Sequence, residues 1–119
     1  MWVDKQADRA RGVAEEAIHR YDTYSAHALG RAPQGSPAAY DWQGMLDQGR
    51  NVYGNPGDCI RYMENTRRNY EFDIFSATFN FGGVPHEDIL RAMRLFAKEV
   101  MPAFQDESTP AGPERAAAR

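Results

Sequence analysis

A single cysteine, Cys59, in 119 residues leaves no partner for an internal disulfide and no thiolate set for a structural zinc. A disulfide-stapled secreted module is therefore excluded. Long apolar runs are missing too: nothing approaches the ~18 consecutive apolar residues of a membrane span. Basic excess is absent, with 14 Lys and Arg against 17 Asp and Glu and a net charge of −3. That balance lacks the electrostatic footprint of a nucleic-acid binder. Met1 to Lys5 contains no basic stretch leading into an apolar one, so no secretory signal is expected. A soluble, cytoplasmic domain with no membrane and no nucleic-acid partner is the expectation.

Branched aliphatic residues and phenylalanine are scarce as well. Ile, Leu, Val and Phe make up about 16% of the chain, below the ~20% associated with a self-sufficient globular core. The low net charge argues against wholesale disorder, and six Tyr, five Met and two Trp add apolar surface. The composition reads as a chain that completes its core against something else.

The first element is a long amphipathic helix. After Asp4 as N-cap, apolar residues recur at Ala10, Val13, Ala14, Ala17, Ile18, Tyr21 and Tyr24 with helical period. Gly30 and Pro33 stop it. Pro33, Gly35, Pro37, Gly44 and Gly49 then make the chain loop-like. A short helix over Pro37 to Asp47, capped by Ser36, buries Tyr40, Trp42, Met45 and Leu46. Asn51 to Gly54 is long enough only for a very short strand. Asn55 and Pro56 then read as N-cap and first helical residue, with Asp58 in the first turn. This helix reaches about Arg68 and buries Cys59, Ile60 and Met63.

Residues 73 to 81 alternate with period two, Phe75, Ala77, Phe79 and Phe81 on one face and Ile74, Ser76, Thr78 and Asn80 on the other. That pattern predicts a strand. Gly82 and Gly83 end it, and Pro85 to Asp88 open a last helix whose buried stripe is Ile89, Ala92, Met93, Phe96, Val100 and Phe104. Asp106 to Arg119 is expected to be a disordered tail. Strands alternating with helices point to a parallel α/β sheet. Two strands, one of them tiny, cannot fill such a sheet.

Several chemical constellations have simpler structural readings. Glu16 and His19 have the Glu-x-x-His spacing of di-iron bundles, but no second copy exists, and a solvated helix face accounts for them. His86, Glu87 and Asp88 at a helix start fit dipole complementation better than a metal or acid–base site. Cys59 falls on the apolar stripe of its helix and reads as a small buried hydrophobe. Arg61, Arg67 and Arg68 lie in an acidic chain without a stacking set of aromatics. Gly54 and the Gly82-Gly83 pair match no phosphate-loop pattern. No catalytic triad assembles and no metal site is expected.

Three segments carry a resemblance. Tyr53-Gly54-Asn55-Pro56-Gly57-Asp58-Cys59-Ile60 resembles a strand-to-helix turn near the end of the luciferase-like flavin-dependent monooxygenases. Phe79 to Asp88 is similar to that family's last strand and turn, and Leu95 to Phe104 to its closing helix. The likeness spans about residues 1 to 105. It implies a (β/α)8 barrel, of which this chain holds only the last two βα units, the long helix before them, and the end of one strand at Trp2-Val3. A complete barrel needs roughly 250 residues.

The resemblance further implies reduced FMN, or an F420-type deazaflavin, and a small organic substrate in the whole enzyme. Thr78, Asn80, Gly82 and Gly83 would line the cofactor's edge, and Ser76 and His86 the substrate side, with Ser76, Thr78 and Asn80 pointing into the barrel. Catalytic residues are not identifiable, and the isolated chain is expected to lack activity. A homo-oligomer or a partner chain would supply the remaining barrel. The competing expectation is a non-catalytic association module that oligomerises through its incomplete sheet, and a remnant without a role is a third.

Overall fold

A computed structural model describes residues 1–32, 35–70 and 74–105. Its centre is a pair of two-residue parallel strands, β1 (Trp2–Val3) and β2 (Tyr53–Gly54), in register Trp2 to Tyr53 and Val3 to Gly54. The ladder is closed by the Trp2 amide on the Val52 carbonyl at 2.8 Å and the Asp4 amide on the Gly54 carbonyl at 3.1 Å. Around it stand four helices: α1 (Ala7–Ala28), α2 (Trp42–Asp47), α3 (Pro56–Asn69) and α4 (His86–Glu99). Two 3-10 turns, Pro37–Ala39 and Met101–Phe104, complete the described elements.

The long helix starts two residues after the expected cap. Gln6 is its N-cap, and Asp4 instead accepts from the Gln6 amide at 3.1 Å. At the other end Gly30 takes φ 64°, which lets its amide reach the His27 carbonyl and the Arg31 amide reach that of Ala26. Those two bonds satisfy carbonyls that a helix end otherwise leaves open. α1 lays Ala10, Ala14, Ala17 and Ile18 on the strands and their surroundings. The small alanines let helix and sheet approach closely. Tyr21 and Tyr24, expected in the same stripe, are exposed. The sheet is too short to lie under them.

The expected 37–47 helix is split into a 3-10 turn and α2, and Asp41, not Ser36, caps the latter by accepting from the Gly44 amide at 2.9 Å. α3 begins as expected. Asn55 accepts from the Asp58 amide at 3.0 Å while Asp58 accepts from the Asn55 amide at 3.3 Å, a reciprocal capping box with Pro56 at the first position. Cys59 and Met63 are buried on its inner face. α4 packs against β1 through Ile89 and Ala92, but Met93 is exposed. Val3 and Val100 are fully buried at the centre, each worth roughly 1.5–3 kcal/mol of apolar burial.

The expected strand over 73–81 does not form. Residue 73 lies outside the described residues, and 74–81 carry no ladder. Their burial still alternates, with Phe75, Ala77, Phe79 and Phe81 turned inward and Ile74, Ser76, Thr78 and Asn80 exposed. The segment is held by side chains: Phe79 meets Phe96 edge to face at 5.4 Å between ring centres. With two short strands and no third, the described residues make a small parallel sheet among helices, and a partial barrel is not shown. The tail over 106–119 lies outside the described residues. None of the described helices is long and apolar enough to cross a membrane.

Candidate functional site

Five of the six residues singled out from the sequence converge. Ser76, Thr78, Asn80, Gly82 and Gly83 line one open cleft of about 770 Å³. Phe75, Ala77 and Phe81 of the same segment line it as well, Ile18, Tyr21 and Asp22 from α1 form a second wall, and Met45, Gly49 to Val52 and Met1 the rest. His86 does not line it; it is the exposed first residue of α4.

The turn at Gly82 brings the segment against α1. Its φ is 62°, and a Cβ there would strike the backbone carbonyl of Ala17. Both facts demand glycine. Gly83 shares the left-handed conformation, φ 70°, yet faces open space. A packing requirement thus explains Gly82 without any ligand. At the middle of the segment the Met1 ammonium donates to the Thr78 carbonyl at 3.1 Å. Burial pushes that amino group down from 8.0 to about 6.

The cleft's charge is mixed. Arg50 is exposed and forms no ion pair among the described residues. Asp22 is half-buried and acts on Tyr40: burial, followed by the Asp22 charge and hydrogen bond, raises the Tyr40 phenol above its usual range. Tyr40 also stacks on Trp42 at 4.5 Å and lies 3.4 Å from Nδ1 of His19. His19 therefore sits in an ordinary packing environment, while Glu16 is exposed and pairs with Arg20 at 3.2 Å, as a solvated helix face does. Sequence reasoning missed Tyr21, Asp22, Arg50 and Asn51 as cleft residues. They come from two elements brought together only by folding, and no local pattern marks them.

Position along the sheet limits what the cleft can do. Met1, Asn51 and Val52 immediately precede the two parallel strands, so the cleft opens where the strands begin. Ligands of α/β sheets and barrels sit at the other, carboxyl, end. Its size lies within the range of small-molecule sites, roughly 300–1,000 Å³. However, Ser76, Thr78 and Asn80 are exposed, and no polar side chain among the lining residues is buried. A flavin needs oriented donors and a water-excluding enclosure. The chain's residues can offer hydrogen bonds to one edge of such a ring, but alone they do not fit a closed flavin site.

The lone thiol offers no nucleophile. Cys59 is fully buried on α3, and burial, then the neighbouring Asp58 charge, pushes it up to about 12. Among the described residues no group of His, Cys, Asp and Glu could hold a metal. No protein family, curated protein or solved structure matches the chain.

Proposed function

We propose that this chain is the C-terminal part of a luciferase-like flavin-dependent monooxygenase, inactive by itself and completed by a further barrel portion. The observation that carries the reading is the incomplete parallel unit. β1, the crossover through α1, β2 and α3 succeed one another as in a βα barrel. An alternating, unladdered segment at 74–81 and the closing helix α4 then follow. The three motifs at 53–60, 79–88 and 95–104 carry the resemblance to the family.

In the complete enzyme the reduced flavin, FMN or a deazaflavin, would supply the oxidation chemistry toward a small organic substrate. This chain would contribute one wall, the hydroxyls of Ser76 and Thr78, the amide of Asn80 and the backbone of Gly82 and Gly83, even though the cleft they line opens at the amino end of β1 and β2, opposite the usual ligand end of a barrel. Its second contribution is apolar packing through Phe75, Phe79 and Phe81 that excludes water from that wall. The test is reconstitution with the first six βα units of a luciferase-like barrel. Reduced-flavin affinity in the complex should fall when Asn80→Ala is introduced. Unchanged affinity would remove this wall from the site.

A further inference from the structure

The segment 74–85 is the longest uncharged run in the chain, twelve residues without Asp, Glu, Lys, Arg or His. Its backbone is poorly satisfied over 76–84. Among those described residues no amide donates to a backbone carbonyl, and only the Thr78 carbonyl accepts, from Met1. In an extended chain the N–H and C=O of one residue point to the same side and alternate with the next. The Thr78 contact therefore turns the backbone of 76, 78 and 80 toward β1. The backbone groups of Ala77, Phe79 and Phe81 point away, with no hydrogen-bond partner among the described residues.

Natural proteins protect such an edge with charges, proline or a bulge. Between Ile74 and Val84 there is neither charge nor proline. The same residues pair well with themselves, because an antiparallel dyad at Phe79 sets Ala77 opposite Phe81 and Thr78 opposite Asn80. Aromatic and hydroxyl-amide cross-strand pairs of that kind stabilise a sheet. The chain has a net charge of −3, and this edge carries no charge that would oppose pairing with a copy.

We infer that two copies of this chain associate through antiparallel pairing of residues 77–81 about a two-fold axis at Phe79. The inference concerns the chain alone and does not depend on the flavin reading. A flavin titration can fail while this pairing stands, and the reverse holds too.

Mass measurement by light scattering across a concentration series tests it. The intact chain should move from monomer to twice that mass. Thr78→Lys combined with Asn80→Lys puts ammonium groups directly opposite across the dyad on exposed positions. With the helical far-UV signal retained, it should weaken association about tenfold or more. Tyr24→Lys, on the exposed face of α1, should leave association unchanged. Hydrogen exchange on the unmodified chain gives a readout that needs no variant: the Ala77, Phe79 and Phe81 amides should gain protection as concentration rises. A monomer at every concentration overturns the proposal. So does loss of the dimer in Tyr24→Lys, or concentration-independent exchange at those three amides.

Discussion

The phenol of Tyr53 donates to the carboxylate of Glu15 across 3.0 Å, tying β2 to the middle of α1 over 38 positions of sequence. Tyr53 is almost fully buried, and Glu15 is also held by Arg11 at 3.0 Å. Burial first, then the Glu15 hydrogen bond and charge, raise the Tyr53 phenol above its ordinary 10.0. Tyr53→Phe should cost about 1 kcal/mol, since Glu15 keeps its arginine and some solvent. Urea unfolding of the two proteins near neutral pH measures it.

The same raised phenol sets a pH window. A group more acidic in the unfolded chain than in the folded one favours the unfolded state once pH passes its unfolded value. The Tyr53 contribution should therefore be intact below about pH 10 and lost as pH climbs beyond it. Cys59, pushed from 9.0 to about 12, adds a loss of the same sign from about pH 9 upward. Unfolding curves between about pH 8 and about pH 11 should show Tyr53→Phe declining less steeply than the parent. Parallel declines would mean that the phenol does not titrate differently on folding.

Gly82 and Gly83 separate conformation from contact. Gly83→Ala should cost about 1–2 kcal/mol for the left-handed backbone alone. Gly82→Ala must add a collision with the Ala17 carbonyl, and a loss exceeding that of Gly83→Ala by about 1–3 kcal/mol is expected. Equal losses would show that the segment can lift from α1 freely.

Cys59 should be silent toward thiol reagents in the folded chain, because it is fully buried and its thiolate is disfavoured. Labelling should track global unfolding across a urea series. Rapid modification in the absence of urea would show that α3 opens locally from β2.

The α3 cap should behave as an ordinary local device. Asn55→Ala removes the oxygen that accepts from the Asp58 amide, at a cost of about 1 kcal/mol. Thermal melts read the change directly.

How much of this was legible before folding follows the range of each interaction. The α3 start was readable because its donors and acceptors lie within four residues, Asn55 to Asp58. The in-and-out alternation of 74–81 was readable because it depends only on side-chain direction. Whether that alternation becomes a strand depends on a neighbouring ladder, and a local pattern carries no information about neighbours. Tyr21 and Tyr24 show the same limit on α1: helical period put them in the apolar stripe, but the surface that would cover them is missing from a two-residue sheet. Of the cleft, the glycine and polar residues of 76–83 were visible as a set, while Asp22 and Arg50 arrive from elsewhere in the chain.

Anaerobic calorimetry with reduced FMN is the decisive experiment, run on the isolated chain and on its complex with the first six βα units of a luciferase-like barrel. The isolated chain, whose Ser76, Thr78 and Asn80 are exposed, should give a flat titration, and the complex a saturable isotherm. A flat titration of a folded complex would contradict membership of a flavin barrel. Saturable binding by the isolated chain would contradict its dependence on the rest of one.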